Sequence, residues 1–182
     1  MKTIYLVRHA SAAGQPVDSP LTEHGRKQAL ALVDFFKHKE IDSIYSSPFK
    51  RAIDTIKPLA NSKGIEVLED ERLGERVLST VNLEDWREKL KQTFEDFELV
   101  FEGGESTSAA MKRAKSLIED LLCSDDGHIL LVSHGNMTTL LMRYFNESFG
   151  YDCLMEMTNP DVFELVVSSE STLLNRIWDD RI

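Results

Sequence analysis

The sequence predicts an α/β fold: a three-layer α/β/α sandwich with a mostly parallel central sheet and a lid-like insertion. Three observations predict it. Short β-prone runs at 4–7, 42–47, 65–69 and 128–133, two of them apolar on both faces, read as strands of a parallel sheet covered by helices. Segments of helical spacing separate them, so strand and helix alternate along the chain. The length of 182 residues suits one domain, 1–182, within which the least regular stretch, 70–105, reads as an insertion or lid over one end of the sheet.

Each element has its own signal. Ile4, Tyr5, Leu6 and Val7 form a central strand. SAAGQPVDSP, residues 11–20, carries turn formers. Thr22 is a good N-cap, and Ala29, Leu32, Val33 and Phe36 follow it on one helical face. DSIYSS, 42–47, is the second strand. The helix over 49–64 points Ile53, Ile56 and Ala60 inward and stops at Gly64. Pro58 within it predicts a kink or an early end. IEVLE, 65–69, is the third strand.

From 70 to 82 no period is clean. The stripe Leu83, Trp86, Leu90, Phe94 and Phe97 predicts a helix over 83–97, and EGGES at 102–106 a turn. A long helix over about 106–122 turns Ala110, Ala114, Leu117, Ile118 and Leu121 inward. HILLVS, 128–133, is the fourth strand and 135–148 a helix. VFELVVS and TLLNRIW, joined by residues 169–171, form an antiparallel hairpin. Its free edge either caps the sheet or pairs with a second chain, which leaves the oligomeric state open.

Composition narrows the function. There are 21 Lys and Arg against 31 Asp and Glu, for a net charge of −10. That argues against nucleic-acid or anionic-membrane partners, which need a basic face. An anion site would have to be a local cationic pocket. Cys123 and Cys153 are too sparse for a disulfide framework and read as reduced thiols. The amino-terminal apolar run is four residues long, too short for a signal peptide, and no run spans a membrane. The expectation is a soluble, cytoplasmic protein.

Two of the strands run directly into a histidine: Arg8 and His9 follow the first, His134 and Gly135 the fourth. In open α/β sheets, ligands bind beyond the carboxyl ends of the strands. If these strands are neighbours, both imidazoles face one cleft. Gly135 lets backbone approach a ligand, and the helix after it aims free N–H groups at the same place. Arg51 begins the helix after the second strand. With Arg8 it forms a planar, permanently charged clamp for phosphate. The set suggests phosphoryl transfer without a metal or other cofactor. One histidine attacks phosphorus, the arginines carry the equatorial charge, and a carboxylic acid protonates the leaving oxygen. A nucleophilic imidazole must be neutral, with its second N–H tied to a carbonyl.

Five blocks occur in order: R-H-A at 8–10, P-L-T-x-x-G-x-x-Q-A at 20–29, S-S-P-x-x-R-A-x-x-T at 46–55, G-G-E-S at 103–106 and V-S-H-G at 132–135. Together they resemble the histidine phosphatases, the phosphoglycerate-mutase-like superfamily, and most the small bacterial phosphatase branch. The resemblance implies a phosphohistidine nucleophile at His9 and a phosphate pocket of Arg8, Arg51 and His134. It places the proton donor in the irregular segment after the third strand, at Glu75, with Glu71 as competitor. The substrate implied is a small phosphorylated metabolite.

The sequence departs from the family pattern at Ala10, where Gly is common, at Ala12, and at Gln15, which stands where Asn would help hold the substrate. Ala10 is tolerable if its φ stays negative. These departures, with the short chain, favour a phosphatase over a phosphoglycerate-mutase-type transferase. Ala10 and the altered 11–15 loop keep open a non-catalytic module that binds a phospho-ligand, against which the full set Arg8, His9, Arg51, Glu75 and His134 argues. Lys50 and Arg113 read as surface cations, and Arg76 as either a substrate contact or a structural pair.

Overall fold

The structure, a computed structural model, describes residues 1–179. Its elements in chain order are β1 (Lys2–Arg8), α1 (Glu23–Phe35), β2 (Ser43–Ser46), α2 (Lys50–Lys63), β3 (Val67–Glu69), a 3₁₀ turn (Glu71–Leu73), α3 (Trp86–Glu95), α4 (Thr107–Cys123), β4 (His128–Ser133), α5 (Gly135–Arg143), α6 (Tyr151–Glu156), β5 (Asp161–Val167) and β6 (Thr172–Arg176).

The six strands form one sheet in the order β3-β2-β4-β1-β5-β6. β1, β2, β3 and β4 are parallel, and β5 runs antiparallel to both of its neighbours. Alternate residues of β1 serve opposite faces, as the pleat requires. Ile4 and Leu6 join Ala114, Leu117, Ile118 and Leu141 of α4 and α5. Tyr5 and Val7 join Leu32 of α1, Phe36, and Ile56 and Leu59 of α2. Helices thus cover both faces, which is the α/β/α sandwich.

Local signals act where expected. Thr22 accepts from Gly25 N at 2.9 Å and caps α1. Ser106 caps α4 through Ala109 N. Gly64 closes α2 with φ at 67°, the left-handed conformation that favours glycine.

Other boundaries shift. α2 does not end at Pro58 but continues through it to Lys63. Leu59 and Ala60 in the next turn are buried in the core, and their packing offsets the hydrogen bond that proline removes. β3 starts at Val67, two residues later than predicted, at the exposed edge of the sheet. α3 is shorter than its stripe: Leu83 and Phe97 lie outside it, and Trp86 stands 41% exposed at its start. α6 had no signal of its own, being six residues long with Leu154 its buried residue.

Residues 77–81 lie against the turn that precedes α4. Thr80 N donates to Glu102 O and Glu105 N to Val77 O. Gly103, at φ 66°, lies where a Cβ would meet Thr80 Oγ1 at 2.1 Å, so only glycine permits this approach. Among the described residues no helix is long and apolar enough to cross a membrane.

Candidate active site

β1 and β4 are adjacent and parallel, with Arg8 opposite Ser133. The residues that follow both strands therefore leave the sheet side by side. His9 N donates to Ser133 O at 3.0 Å, and the His9 and His134 ring centroids are 5.1 Å apart. β2 lies on the other side of β4, and α2 begins just beyond it, bringing Arg51 to the same edge.

A cavity of about 190 Å³ opens here, lined by Arg8, His9, Gln15, Arg51, Glu75 and Gly135, with Asn159 and residues 12–14. Six of the seven residues singled out from the sequence thus share one wall. The seventh, His134, does not line it. It is fully buried behind His9.

The protonation of His9 follows from its partners. Nδ1 lies 2.7 Å from the carbonyl oxygen of Ala10, which can only accept, so Nδ1 carries the hydrogen. Arg51 Nε donates to His9 Nε2 at 3.2 Å, so Nε2 offers a lone pair. Burial, helped by the Arg51 and Arg8 charges and opposed by the pull of the Ala10 carbonyl, lowers the pKa of His9 to about 4. The ring is neutral at physiological pH.

His134 is held well below the ordinary histidine range, first by burial and then by His9 and the nearby guanidiniums. Its Nε2 is 2.8 Å from Ser47 Oγ, and its Nδ1 is buried with no partner. Ser47 Oγ also accepts from Phe49 N.

The cations are held at their backs. Arg51 Nη1 donates to the carbonyls of Gln15 and Pro16, at 2.9 and 3.0 Å. Arg8 Nη1 donates to Met157 O at 3.0 Å, while Arg8 Nε is buried without a partner. Buried donors that lack acceptors, beside a small polar cavity, suit an anion. At Gly135 a Cβ would stand 3.2 Å from Arg8 Cζ and 2.9 Å from Leu154 Cδ1, so glycine is what lets the guanidinium lie against the start of α5.

Glu75 reaches the cavity from the segment after β3. It accepts from Arg76 N, Met137 N and Asn136 N at 2.9, 3.0 and 3.2 Å. Burial raises its pKa above the ordinary carboxylate value, and these hydrogen bonds together with the Arg8 charge only partly oppose it. Glu71 is exposed on the 3₁₀ turn and lines no part of this cavity.

Arg113 is not a plain surface cation. It pairs with Glu105 through two hydrogen bonds of 2.8 Å and donates to the carbonyls of Arg72 and Gly74, which fixes the backbone leading into Glu75. Arg76 is 4% exposed, with Nε bound to Glu105 O and Nη1 to Thr93 Oγ1.

Three residues contribute that the sequence reading did not single out. Asn159 Nδ2 donates to His9 O at 2.8 Å. Thr55 Oγ1 accepts from Ala10 N and donates to Arg51 O. Ser47 holds His134. Ser47 and Thr55 lie within the S-S-P-x-x-R-A-x-x-T block, which was their signal; Asn159 had none. Among the described residues no non-glycine has a positive φ, so Ala10 fits with its methyl group buried. No cluster of three or more His, Cys, Asp or Glu among those residues is placed to hold a metal ion.

The chain is 33% identical over 136 residues to phosphoserine phosphatase 1 of Hydrogenobacter thermophilus, covering 66% of this chain and 64% of that one. It is 34% identical over 154 residues to a protein of Escherichia fergusonii named "Probable phosphoglycerate mutase GpmB", covering 74% and 70%. A solved structure of a phosphoserine phosphatase mutant from Entamoeba histolytica, in complex with phosphoserine, superposes with a TM-score of 0.77 at 23% identity, over 96% of this chain and 95% of that one, a likeness of fold. The family model described as histidine phosphatase superfamily (branch 1) matches residues 4–179. With that match running through β1, the cavity and the terminal hairpin alike, the chain belongs to the histidine phosphatase superfamily.

Proposed function

We propose that the protein is a cytoplasmic phosphatase that hydrolyses small phosphomonoesters through a phosphohistidine on His9, with Glu75 as proton donor. The observation that carries this reading is the fixed tautomer of His9: Nδ1–H bound to Ala10 O, and a lone pair on Nε2 at the cavity beside Arg51.

Nε2 attacks phosphorus as the ester P–O bond breaks, and Glu75 gives its proton to the leaving oxygen. Arg8 and Arg51 hold the phosphoryl oxygens, whose charge grows in the transition state, and His134 packs behind His9. Water then attacks phosphorus and passes a proton to the Glu75 carboxylate. The P–N bond breaks, phosphate leaves, and Nε2 recovers its lone pair. In this reading residues 70–105 are the insertion that covers the substrate, carrying Glu75 near its start.

The test is to quench turnover of a radiolabelled phosphomonoester. The expected result is label on His9, labile to acid and stable to base, and none in His9→Ala. Hydrolysis by His9→Ala at the wild-type rate would overturn the mechanism. A mutase shares the first half-reaction, as the resemblance to GpmB requires. Bisphosphoglycerate-primed isomerisation outpacing phosphate release would favour that second reading.

A further inference from the structure

The phosphate cavity does not stand alone. Two larger recesses, of about 670 and 510 Å³, share Gln15, Glu75, Arg76, Leu78 and Trp86 with each other. The first also shares Arg51 with the small cavity, and the second Arg8 and Gly135. They are one vestibule leading to His9, and an ester bound with phosphorus at His9 must place its alcohol there.

The larger share of the vestibule wall is apolar, with Gln15, Ser79, Thr80, Asn82 and Asn136 as its neutral polar part. Leu78, Leu90, Leu154 and Met155 face it from three segments, and Trp86 stands at both openings. Four large apolar side chains that are notably exposed lie along it: Val77 at 45%, Val81 at 43%, Trp86 at 41% and Met155 at 39%. Apolar surface gathered around a cavity, rather than scattered, marks a binding site. Arg87 stacks on the Trp86 ring, 4.8 Å from its centroid, and so steadies the indole.

The charged groups in the vestibule are mostly engaged. Arg8 and Arg51 belong to the phosphate, and Glu75 accepts three backbone N–H bonds. Arg76 is buried, with two nitrogens bonded and Nη2 left without a partner. Among the described lining residues no free carboxylate remains for a substrate ammonium, and the one spare guanidinium donor outside the phosphate clamp, Arg76 Nη2, is buried.

Resting on the phosphatase reading above, we propose that this vestibule selects phosphomonoesters of apolar alcohols, those bearing an aromatic ring or a branched chain, over esters of amino acids or polyols. An apolar group there displaces water from Trp86, Leu78, Leu154 and Met155. A charged or hydroxylated one loses hydration against that apolar surface and meets only the few neutral polar side chains and the buried Arg76 Nη2 in return.

Leaving-group chemistry must be held constant in the test, so the esters compared are all of alkyl alcohols: 2-naphthylmethyl phosphate, glycerol 1-phosphate and phosphoserine. Binding is measured apart from turnover, by calorimetry with 2-naphthylmethylphosphonate and methylphosphonate. The expected results are a kcat/KM at least about tenfold higher for the naphthylmethyl ester and a Kd lower by a similar factor for its phosphonate. In Trp86→Ala both ratios should fall towards one, and in Trp86→Phe they should largely survive. Preference for phosphoserine or glycerol 1-phosphate, or equal Kd values for the two phosphonates, would overturn the proposal while leaving hydrolysis intact. Selective phosphonate binding with no ester hydrolysed would support the vestibule and overturn the phosphatase reading instead.

Discussion

Arg51 donates from Nε to Nε2 of His9 at 3.2 Å. A guanidinium and a neutral imidazole are thus in direct contact across the cavity, and the cation meets the nitrogen assigned to attack. In Arg51→Lys a flexible ammonium replaces the planar fork, losing this contact together with the Gln15 and Pro16 carbonyl bonds. The expected outcome is a fall in kcat/KM of about a hundredfold, the scale of losing one donor to a transition-state oxyanion. Steady-state kinetics on one alkyl phosphate checks it.

Glu75→Gln separates proton donation from structure. The amide keeps much of the shape but has no acidic proton. Alkyl phosphates, whose leaving oxygen needs that proton, should slow by about 10²–10⁴-fold. p-Nitrophenyl phosphate, with a stable leaving anion, should slow by about tenfold or less at the phosphorylation step, read as a burst of nitrophenolate. Equal losses on both esters would assign Glu75 a positioning role only.

Gly135→Ala puts a methyl group 3.2 Å from Arg8 Cζ and 2.9 Å from Leu154 Cδ1. The guanidinium and Leu154 must both give way. The variant should lose about 1–3 kcal/mol of stability, as in other overpacked sites, and should bind vanadate more weakly than the wild type. Urea unfolding and vanadate inhibition measure the two effects.

The buried histidines make stability depend on pH. An unfolded histidine takes its proton at about 6.5, whereas folded His9 does so at about 4. Above about pH 6.5 neither state binds that proton and the contribution is complete. As the pH falls the unfolded chain binds it and the folded chain does not, so stability declines until His9 itself titrates. The gap corresponds to about 3 kcal/mol for this one ring, and His134, lowered in the same direction, adds to it. Urea midpoints should drop between pH 7 and pH 4.5, with a shallower slope in His9→Gln.

Much of the site was legible because it is written next to strong local signals. Arg8, His9, His134 and Gly135 follow the most apolar strands, and a strand buried on both faces announces where its carboxyl end lies. Arg51 opens an amphipathic helix. Glu75 was legible only through family resemblance, since nothing periodic surrounds it. Asn159 and Arg113 escaped for a different reason. Asn159 meets His9 O across 150 residues of sequence, and Arg113 meets Gly74 O across 39, and such bonds leave no trace in any local pattern. Pro58 does not end α2, because its cost is local while the packing of Leu59 and Ala60 that offsets it is not.

The sequence by itself determined the alternation of strand and helix, the caps at Thr22 and Gly64, and which polar groups stand at strand ends. These follow from backbone preference and from hydrophobic spacing, which act over a few residues. Only the tertiary structure decided the order β3-β2-β4-β1-β5-β6, which puts His9 beside His134. It alone seated His134 behind His9 and gathered Trp86, Leu78, Leu154 and Met155 into one vestibule. Strand pairing and burial are contacts between distant segments, settled by how whole faces fit together.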